Sequence, residues 1–263
     1  MITSVANKRV KELVELSAKA KARNAAGVFV VEGRKMFLEA PVPSIVDVYI
    51  EEHFLQKASD ELRQKLDEVT YEVVTQEVFA KISDTKTPQG ILCVVKQQKF
   101  RLEDLLCPAD HKTPLLMVLE DIQDPGNLGT ILRTAEGAGV NGVIVTKNTV
   151  DRYNPKTIRA TMGSLYRMPC VEVPELSGVL EQLREAGIRT YAAHLKGTQY
   201  HDAFDYTGAT AFLIGNEGNG LKQETADAAD TYIRIPMEGQ VESLNAAIAA
   251  TVLMYEANRQ RRK

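Results

Sequence analysis

The sequence predicts an α/β protein of two domains: a smaller α/β domain over residues 1–98, a linker over 99–113, and a larger domain with a parallel sheet over 114–263. Three observations carry this. Short apolar runs of strand length alternate with stretches of helical periodicity along nearly the whole chain. A polar, irregular segment after Lys96, punctuated by Pro108, Asp110 and Pro114, interrupts the alternation. In the back half, polar glycine-rich turns follow directly on apolar runs, as they do at the carboxyl edge of a parallel sheet. With 263 residues, 44% hydrophobic and 25% charged, the chain is long enough to bury a core in each half.

Taken in order, Val10, Leu13 and Val14 follow helical spacing between Asn7 and Asn24, so one amphipathic helix is expected there. Strands are expected at 28–31, 46–50, 71–74 and 91–95, with helices at 54–68 and 76–83 between them. Beyond the linker, strands are expected at 115–119, 142–145, 190–193, 211–214 and 232–235. A long Ala-rich helix closes the chain, with Ser243 as its expected N-cap.

The formal charge of −3 hides a local asymmetry. Between Lys8 and Lys35 stand eight basic residues (Lys8, Arg9, Lys11, Lys19, Lys21, Arg23, Arg34, Lys35) against three acidic ones (Glu12, Glu15, Glu32), a local excess of five. Such a patch suits a phosphate backbone, although a solvated helix face reads the same from charge alone. Cys93, Cys107 and Cys170 form neither a CxxC pair nor a Cys/His cluster, so reduced thiols and no metal are expected. The longest apolar stretch, 246–255 with Thr251 inside it, is too short to cross a bilayer, and no secretory core opens the chain, which makes a cytoplasmic protein the expectation.

Three post-strand segments concentrate unusual chemistry. After 115–119 comes Glu120-Asp121-Ile122-Gln123-Asp124-Pro125-Gly126-Asn127-Leu128-Gly129, delivering the chain into a helix with Arg133 near its expected start, where N–H groups and a guanidinium meet an anion. After 211–214 comes Gly215-Asn216-Glu217-Gly218-Asn219-Gly220. It has the glycine interval of a Walker loop, but Leu221 occupies the lysine position, which argues against a nucleoside triphosphate. After 232–235 come Pro236-Met237-Glu238-Gly239 and then Ser243-Leu244-Asn245. Each alone reads as a tight turn before a capped helix; together, after strands of one sheet, they read as a site. No GxGxxG follows the first strand of either half and no GxSxG is present, and of His53, His111, His194 and His201 only His194 directly follows a strand.

Read together, the three segments resemble the three signature motifs of the SpoU (TrmH) family in the SPOUT methyltransferase superfamily. The resemblance covers roughly 115–256, with Asn154-Pro155-Lys156, Arg159-Ala160 and Gly163-Ser164 resembling a further family stretch. Residues 1–98 more loosely resemble the family's RNA-binding domain. One departure is visible: Ala246-Ala247 stands where the family often has Val-Ser, which removes a second serine from the site. The resemblance implies a trefoil knot, a homodimer and an S-adenosylmethionine-dependent RNA 2′-O-ribose methyltransferase acting on rRNA more readily than tRNA. It implies that Ala193, His194, Gly215, Asn216, Gly220, Ile235, Met237 and Leu244 hold the cofactor. Arg133 would be the main catalytic residue, with Asn127, Glu217, Ser243 and Asn245 around it. RNA contacts are expected from Lys8, Arg9, Lys19, Lys21, Arg23, Arg34 and Lys35 of the basic patch and from Arg159. The rival readings are a catalytically inactive RNA-binding or ribosome-assembly protein of the same fold, and a phosphate-binding α/β enzyme acting on a small metabolite.

Overall fold

In the computed structural model, which describes residues 1–108 and 113–262, Asn7 accepts a hydrogen bond from the Arg9 N–H and opens helix α1 (Lys8–Ala18). The single helix expected from Asn7 to Asn24 is two helices, because Lys19 is extended and α2 (Ala20–Ala26) starts afresh. Arg23 explains the break. Only 3% exposed, it donates from its guanidinium to the Leu16 and Ser17 carbonyls at 2.8 and 3.0 Å, satisfying the open carboxyl end of α1. Arg23 therefore belongs to the scaffold and cannot reach a phosphate, contrary to its place among the expected RNA contacts.

The remaining elements of this unit are β1 (Val28–Glu32), α3 (Arg34–Glu39), β2 (Ile45–Glu51), α4 (Glu52–Gln56), α5 (Asp60–Leu66), β3 (Tyr71–Val74), α6 (Gln76–Ile82) and β4 (Ile91–Lys96). Ser59, which caps α5, divides the helix expected at 54–68. The sheet order is β1-β4-β2-β3, with β4 antiparallel to both neighbours and β3 parallel to β2. Alternation along the strands sends Phe29, Val31, Ile91 and Cys93 to one apolar layer and Val30, Leu92 and Val94 to the other. Burial pushes the Cys93 thiol up to about 12, so it is an inert core residue.

Contacts divide the chain into two compact units, Met1–Gln98 with Tyr153–Tyr166, and Lys99–Arg152 with Arg167–Lys263. The segment Tyr153–Tyr166, expected within the larger domain, thus packs with the first unit. Tyr153 stacks on Phe29 at 4.6 Å, and the Tyr166 hydroxyl donates to the Met36 carbonyl at 2.9 Å. These contacts are made by residues more than a hundred positions apart, which local periodicity does not register.

The second unit begins with α7 (Leu102–Leu106) inside the expected linker; its Leu105 is 2% exposed and belongs to the core, whereas 109–112 of that linker lie outside the described residues. There follow β5 (Leu115–Leu119), α8 (Pro125–Ala138) and β6 (Gly142–Thr146), then α9 (Pro155–Thr161) in the segment that joins the first unit. The chain continues through β7 (Cys170–Val173), α10 (Ser177–Glu185), β8 (Arg189–Ala193), β9 (Gln199–Tyr200), β10 (Thr210–Ile214), α11 (Gln223–Ala228), β11 (Thr231–Arg234) and α12 (Ala246–Arg261). All pairings in the seven-stranded sheet are parallel, in the order β7-β6-β5-β10-β8-β11-β9. The strands β7 and β9 were not anticipated from the sequence; β9 has two exposed residues and no periodicity to announce it.

Residues of β5, β6 and β10 are buried throughout, as a sheet covered on both faces requires. One face carries α8 and α12 on Leu115, Met117, Phe212 and Ile214; the other carries α7, α10 and α11 on Leu116, Val118, Ala211 and Leu213. This order places the carboxyl ends of β5, β10, β8 and β11 side by side, at the point where the winding direction reverses.

Candidate functional site

The first loop of the site, after β5, is set by helix capping. Asp124 accepts from the Asn127 N–H at 2.9 Å, and Pro125, with its fixed φ and no N–H, is the first helical residue. Thus α8 starts at Pro125, earlier than the sequence reading put it. Arg133 lies two turns into the helix, on its exposed side, and its backbone is not at the amino-terminal turn. Among the described residues its guanidinium has no hydrogen-bond or ion-pair partner.

The second loop, after β10, is an internally bonded turn. Asn216 and Gly220 exchange backbone hydrogen bonds at 3.0 and 2.9 Å, while the Asn216 side-chain oxygen accepts from the Gly218 and Asn219 N–H groups. The chain can close this tightly because Gly215 carries no side chain: a Cβ there would stand 2.0 Å from the Gly220 carbonyl carbon and from the Leu221 nitrogen.

The third loop, after β11, ends at Asn245, whose side chain accepts from the Ala247 and Ile248 N–H groups and caps α12. The expected cap, Ser243, lies two residues too early and is exposed. Ala247, 3% exposed, faces the apolar core beneath α12, which accounts for an alanine where the family often has a serine.

A cavity of about 320 Å³ opens between the second and third loops and the residues that follow β8. It is lined by every residue expected to hold the cofactor: Ala193, His194, Gly215, Asn216, Gly220, Ile235, Met237 and Leu244. Glu217 and Ser243, expected to be catalytic, also line it. Asn127 and Asn245 do not, but a hydrogen-bond chain ties them to it: Asn245 Nδ2 donates to Asn127 Oδ1 at 3.0 Å, and Asn127 Nδ2 to Glu217 Oε1 at 2.9 Å. Glu217 further accepts from the Gln123 and Asp124 N–H groups, both at 3.0 Å. Burial pulls the Glu217 carboxyl upward, but these donors outweigh it and hold it below its ordinary value. It is a carboxylate with both oxygens committed to orienting the first loop.

His194 forms part of the wall. Its ring stacks on Tyr232 with centroids 5.0 Å apart, and its Nδ1 accepts from the Lys196 N–H at 3.1 Å. Burial first and nearby Lys196 second depress its pKa against the opposing pull of Asp227, so it is neutral at pH 7. Sequence reasoning missed Leu195, Leu221, Glu242, Ala246 and Ala249, which also line the cavity. Leu195 could have been found from its place one residue past His194; the alanines of α12 carried no such signal.

The basic patch of the first unit is less uniform than its sequence suggests. Arg9 pairs with Asp47 and Glu72, Arg34 with Glu61, Lys35 with Glu39 and Arg159 with Asp84, while Lys8 and Lys19 pair with Glu12 and Glu15 of α1, four residues away in each case. Counting neighbours along the chain overlooked the acids that folding brings from elsewhere. Lys11 and Lys21 are exposed and make no ion pair among the described residues.

Among the described residues no cluster of His, Cys, Asp and Glu is arranged to hold a metal ion, and no helix is long and apolar enough to cross a membrane.

Residues 114–255 match the SpoU rRNA Methylase family, and 7–93 match the MRM3-like substrate binding domain. A 23S rRNA guanosine 2′-O-methyltransferase of Bacillus subtilis, RlmP, is 31% identical over 256 residues, 97% of each chain. The AdoMet-bound rRNA methyltransferase of Sinorhizobium meliloti superposes with a TM-score of 0.85 at 30% identity, covering 98% of this chain and 97% of that one. The SpoU methyltransferase AviRb of Streptomyces viridochromogenes, solved with AdoMet, gives 0.85 at 31% identity, covering 97% and 98%. With matching motifs, full-length likeness and a parallel-sheet domain of the SPOUT type that follows a smaller α/β domain along the chain, this chain belongs to the SpoU methylase family.

Proposed function

We propose that this protein transfers a methyl group from S-adenosylmethionine (AdoMet) to a ribose 2′-hydroxyl of structured RNA, rRNA rather than tRNA. One observation carries the reading: a single cavity is lined by the second and third family loops, and the Asn127–Glu217–Asn245 chain ties the first loop to it. The preference for rRNA follows two full-length relatives whose names specify it, those of Bacillus subtilis and Sinorhizobium meliloti.

The cavity suits AdoMet. Ile214, Ile235, Met237 and Leu244 offer apolar surface to a purine and to the methylenes of the methionyl chain, and the Gly215–Gly220 turn brings backbone polar groups against the ligand. When bound, AdoMet supplies a methyl on a sulfonium whose departing group is a neutral thioether. What the protein must manage is the 2′-hydroxyl, a poor nucleophile until aligned and relieved of its proton. Arg133 does not act as the base, because its guanidinium stays protonated in proteins. It grips an RNA phosphate and stabilises charge developing on the ribose oxygen. Nor does Glu217 take the proton: its oxygens accept three N–H donors, and it serves to fix Asn127 and the Gln123–Asp124 backbone. The RNA phosphate held by Arg133 is the remaining acceptor in this scheme.

The first unit supplies sequence-independent phosphate contacts, with Lys8, Arg9, Lys11, Lys19, Lys21, Arg34, Lys35 and Arg159 as its candidates. Surface ion pairs such as Lys19–Glu15 contribute only about 0–1 kcal/mol, so RNA displaces the acids at little cost. Lys19→Glu with Lys21→Glu is expected to weaken RNA binding severalfold at low salt and to flatten its salt dependence. Unchanged affinity in a filter-binding titration removes the α1–α2 surface from the interface. Reversal of Arg23 is no part of this test, because it unseats the cap of α1.

Ile248 and Tyr255, half-exposed and seven residues apart on α12, form one apolar face. We assign that face to a second copy of the chain, giving a homodimer whose mass sedimentation reads directly. For the activity itself, calorimetry with AdoMet separates an enzyme from an inactive RNA-binding relative. Mapping of 2′-O-methyl groups in total RNA from cells with and without the gene then identifies the nucleotide. Identical maps overturn the proposal.

A further inference from the structure

Asp121 is one of two non-glycine residues with a left-handed backbone among the described residues, at φ 55°. Such a conformation costs a residue with a Cβ on the order of 1–2 kcal/mol and persists where surrounding bonds enforce it. Those bonds come from both ends of the turn that follows β10. At its start, Asn216 Nδ2 donates to the Asp121 carbonyl at 2.9 Å. Just past its end, Lys222 Nζ stands 3.3 Å from Asp121 Oδ2. Behind Asp121, the Thr146 hydroxyl at the end of β6 donates to Oδ1 at 2.7 Å and accepts from the Asp121 N–H at 2.8 Å. The adjoining Glu120, 3% exposed, completes the anchorage by accepting from the Lys222 N–H at 2.7 Å and the Thr225 hydroxyl at 2.6 Å.

We propose that Asp121 is a positioning residue for the cofactor, a clamp whose carbonyl and carboxylate hold the two ends of the Gly215–Leu221 turn at the height AdoMet requires. The part concerning AdoMet rests on the cofactor reading above; the clamp itself does not. Asp121 is absent from the residues lining the cavity, so its effect passes through Asn216, which lines it. Burial pushes the Asp121 carboxyl up, yet the Thr146 hydroxyl and Lys222 outweigh it and keep it charged at neutral pH. The sign follows: the clamp is intact above the ordinary carboxylate value and loosens as pH falls through the lower folded one.

The side chain and the backbone contribute separately, and two substitutions separate them. Asp121→Gly keeps the left-handed backbone and the carbonyl while deleting the carboxylate; Asp121→Ala loses the carboxylate and makes the backbone unfavourable. Lys222→Met removes the ammonium alone, and because Lys222 is 52% exposed this variant is expected to fold.

The experiment measures amide hydrogen exchange at Asn216, Gly218, Asn219 and Gly220 in the cofactor-free protein, and AdoMet affinity by calorimetry. Exchange at the turn is expected to accelerate about threefold in Lys222→Met and about tenfold in Asp121→Gly, with more in Asp121→Ala. AdoMet affinity and its KM follow in the same order, with kcat at saturating AdoMet and the KM for RNA within twofold of wild type. Lys222→Met added to Asp121→Gly brings no further loss. Asp121→Asn, which tolerates the left-handed backbone and still accepts from Thr146, recovers most of the affinity. Unchanged exchange in Lys222→Met and Asp121→Gly overturns the clamp, as does a uniform loss of kcat, both KM values and thermal stability. Wild-type protein that fails to bind AdoMet overturns the cofactor reading instead, and the exchange data then judge the clamp by themselves.

Discussion

Arg133→Ala is expected to lower kcat about a thousandfold while changing the AdoMet dissociation constant less than twofold. The magnitude is that of removing a donor aimed at charge which develops in the transition state, about 10²–10³-fold for one such group, with loss of the phosphate grip adding to it. Selectivity follows from position: Arg133 projects from the exposed side of α8 and is not among the residues lining the cavity. Arg133→Lys restores little, since an ammonium keeps the charge but loses the planar fork that meets a phosphate with two parallel hydrogen bonds. Single-turnover methylation with saturating AdoMet separates chemistry from binding. A variant of undiminished rate refutes the assignment; one that loses AdoMet affinity equally places Arg133 at the cofactor.

Gly215→Ala is expected to abolish measurable AdoMet binding. The added Cβ would lie 2.0 Å from the Gly220 carbonyl carbon, 2.0 Å from the Leu221 nitrogen and 2.3 Å from the Gly220 oxygen. All three are backbone atoms, so no side chain can swing aside. The turn must open, breaking the Asn216–Gly220 pair. Overpacking costs about 1–3 kcal/mol, and where the displaced backbone is itself the ligand's seat this corresponds to about ten- to hundredfold in affinity before any bond to the ligand is lost. Gly218→Ala is the control: its nearest neighbour, Asn216 Oδ1, is 3.5 Å away, an ordinary contact. Calorimetry with AdoMet is expected to find the Gly218 variant close to wild type. Equal affinity in both variants dissociates the turn from the cofactor site.

The elements legible in the sequence were those whose cues are local. Strands β5, β6, β8, β10 and β11 announced themselves as apolar runs closed by turn residues, and all eight expected cofactor residues line one cavity. Helix starts were less legible. Pro125 reads as a turn residue until Asp124 is seen capping Asn127, and Ser243 reads as a cap until Asn245 is seen to hold the N–H groups of Ala247 and Ile248. Arg23 illustrates the limit of counting charge: a cation within a basic run is indistinguishable from its neighbours until burial against two carbonyls gives it another task.

By itself, the sequence determined the fold class, the family and many of the residues that line the cavity, because turn chemistry and hydrophobic period are properties of short windows. Tertiary structure alone decided which turns are neighbours. The order β5-β10-β8-β11 places Asn127 against Glu217 and Asn245, 90 and 118 positions away, and it recruits Asp121 and Lys222 to a task no motif assigns them. It also supplied the acids that pair with Arg9 and Arg34, and moved Tyr153–Tyr166 into the first unit. The reason is that strand order and packing minimise free energy over the whole chain, so contacts between distant residues leave no trace in the local pattern of either partner.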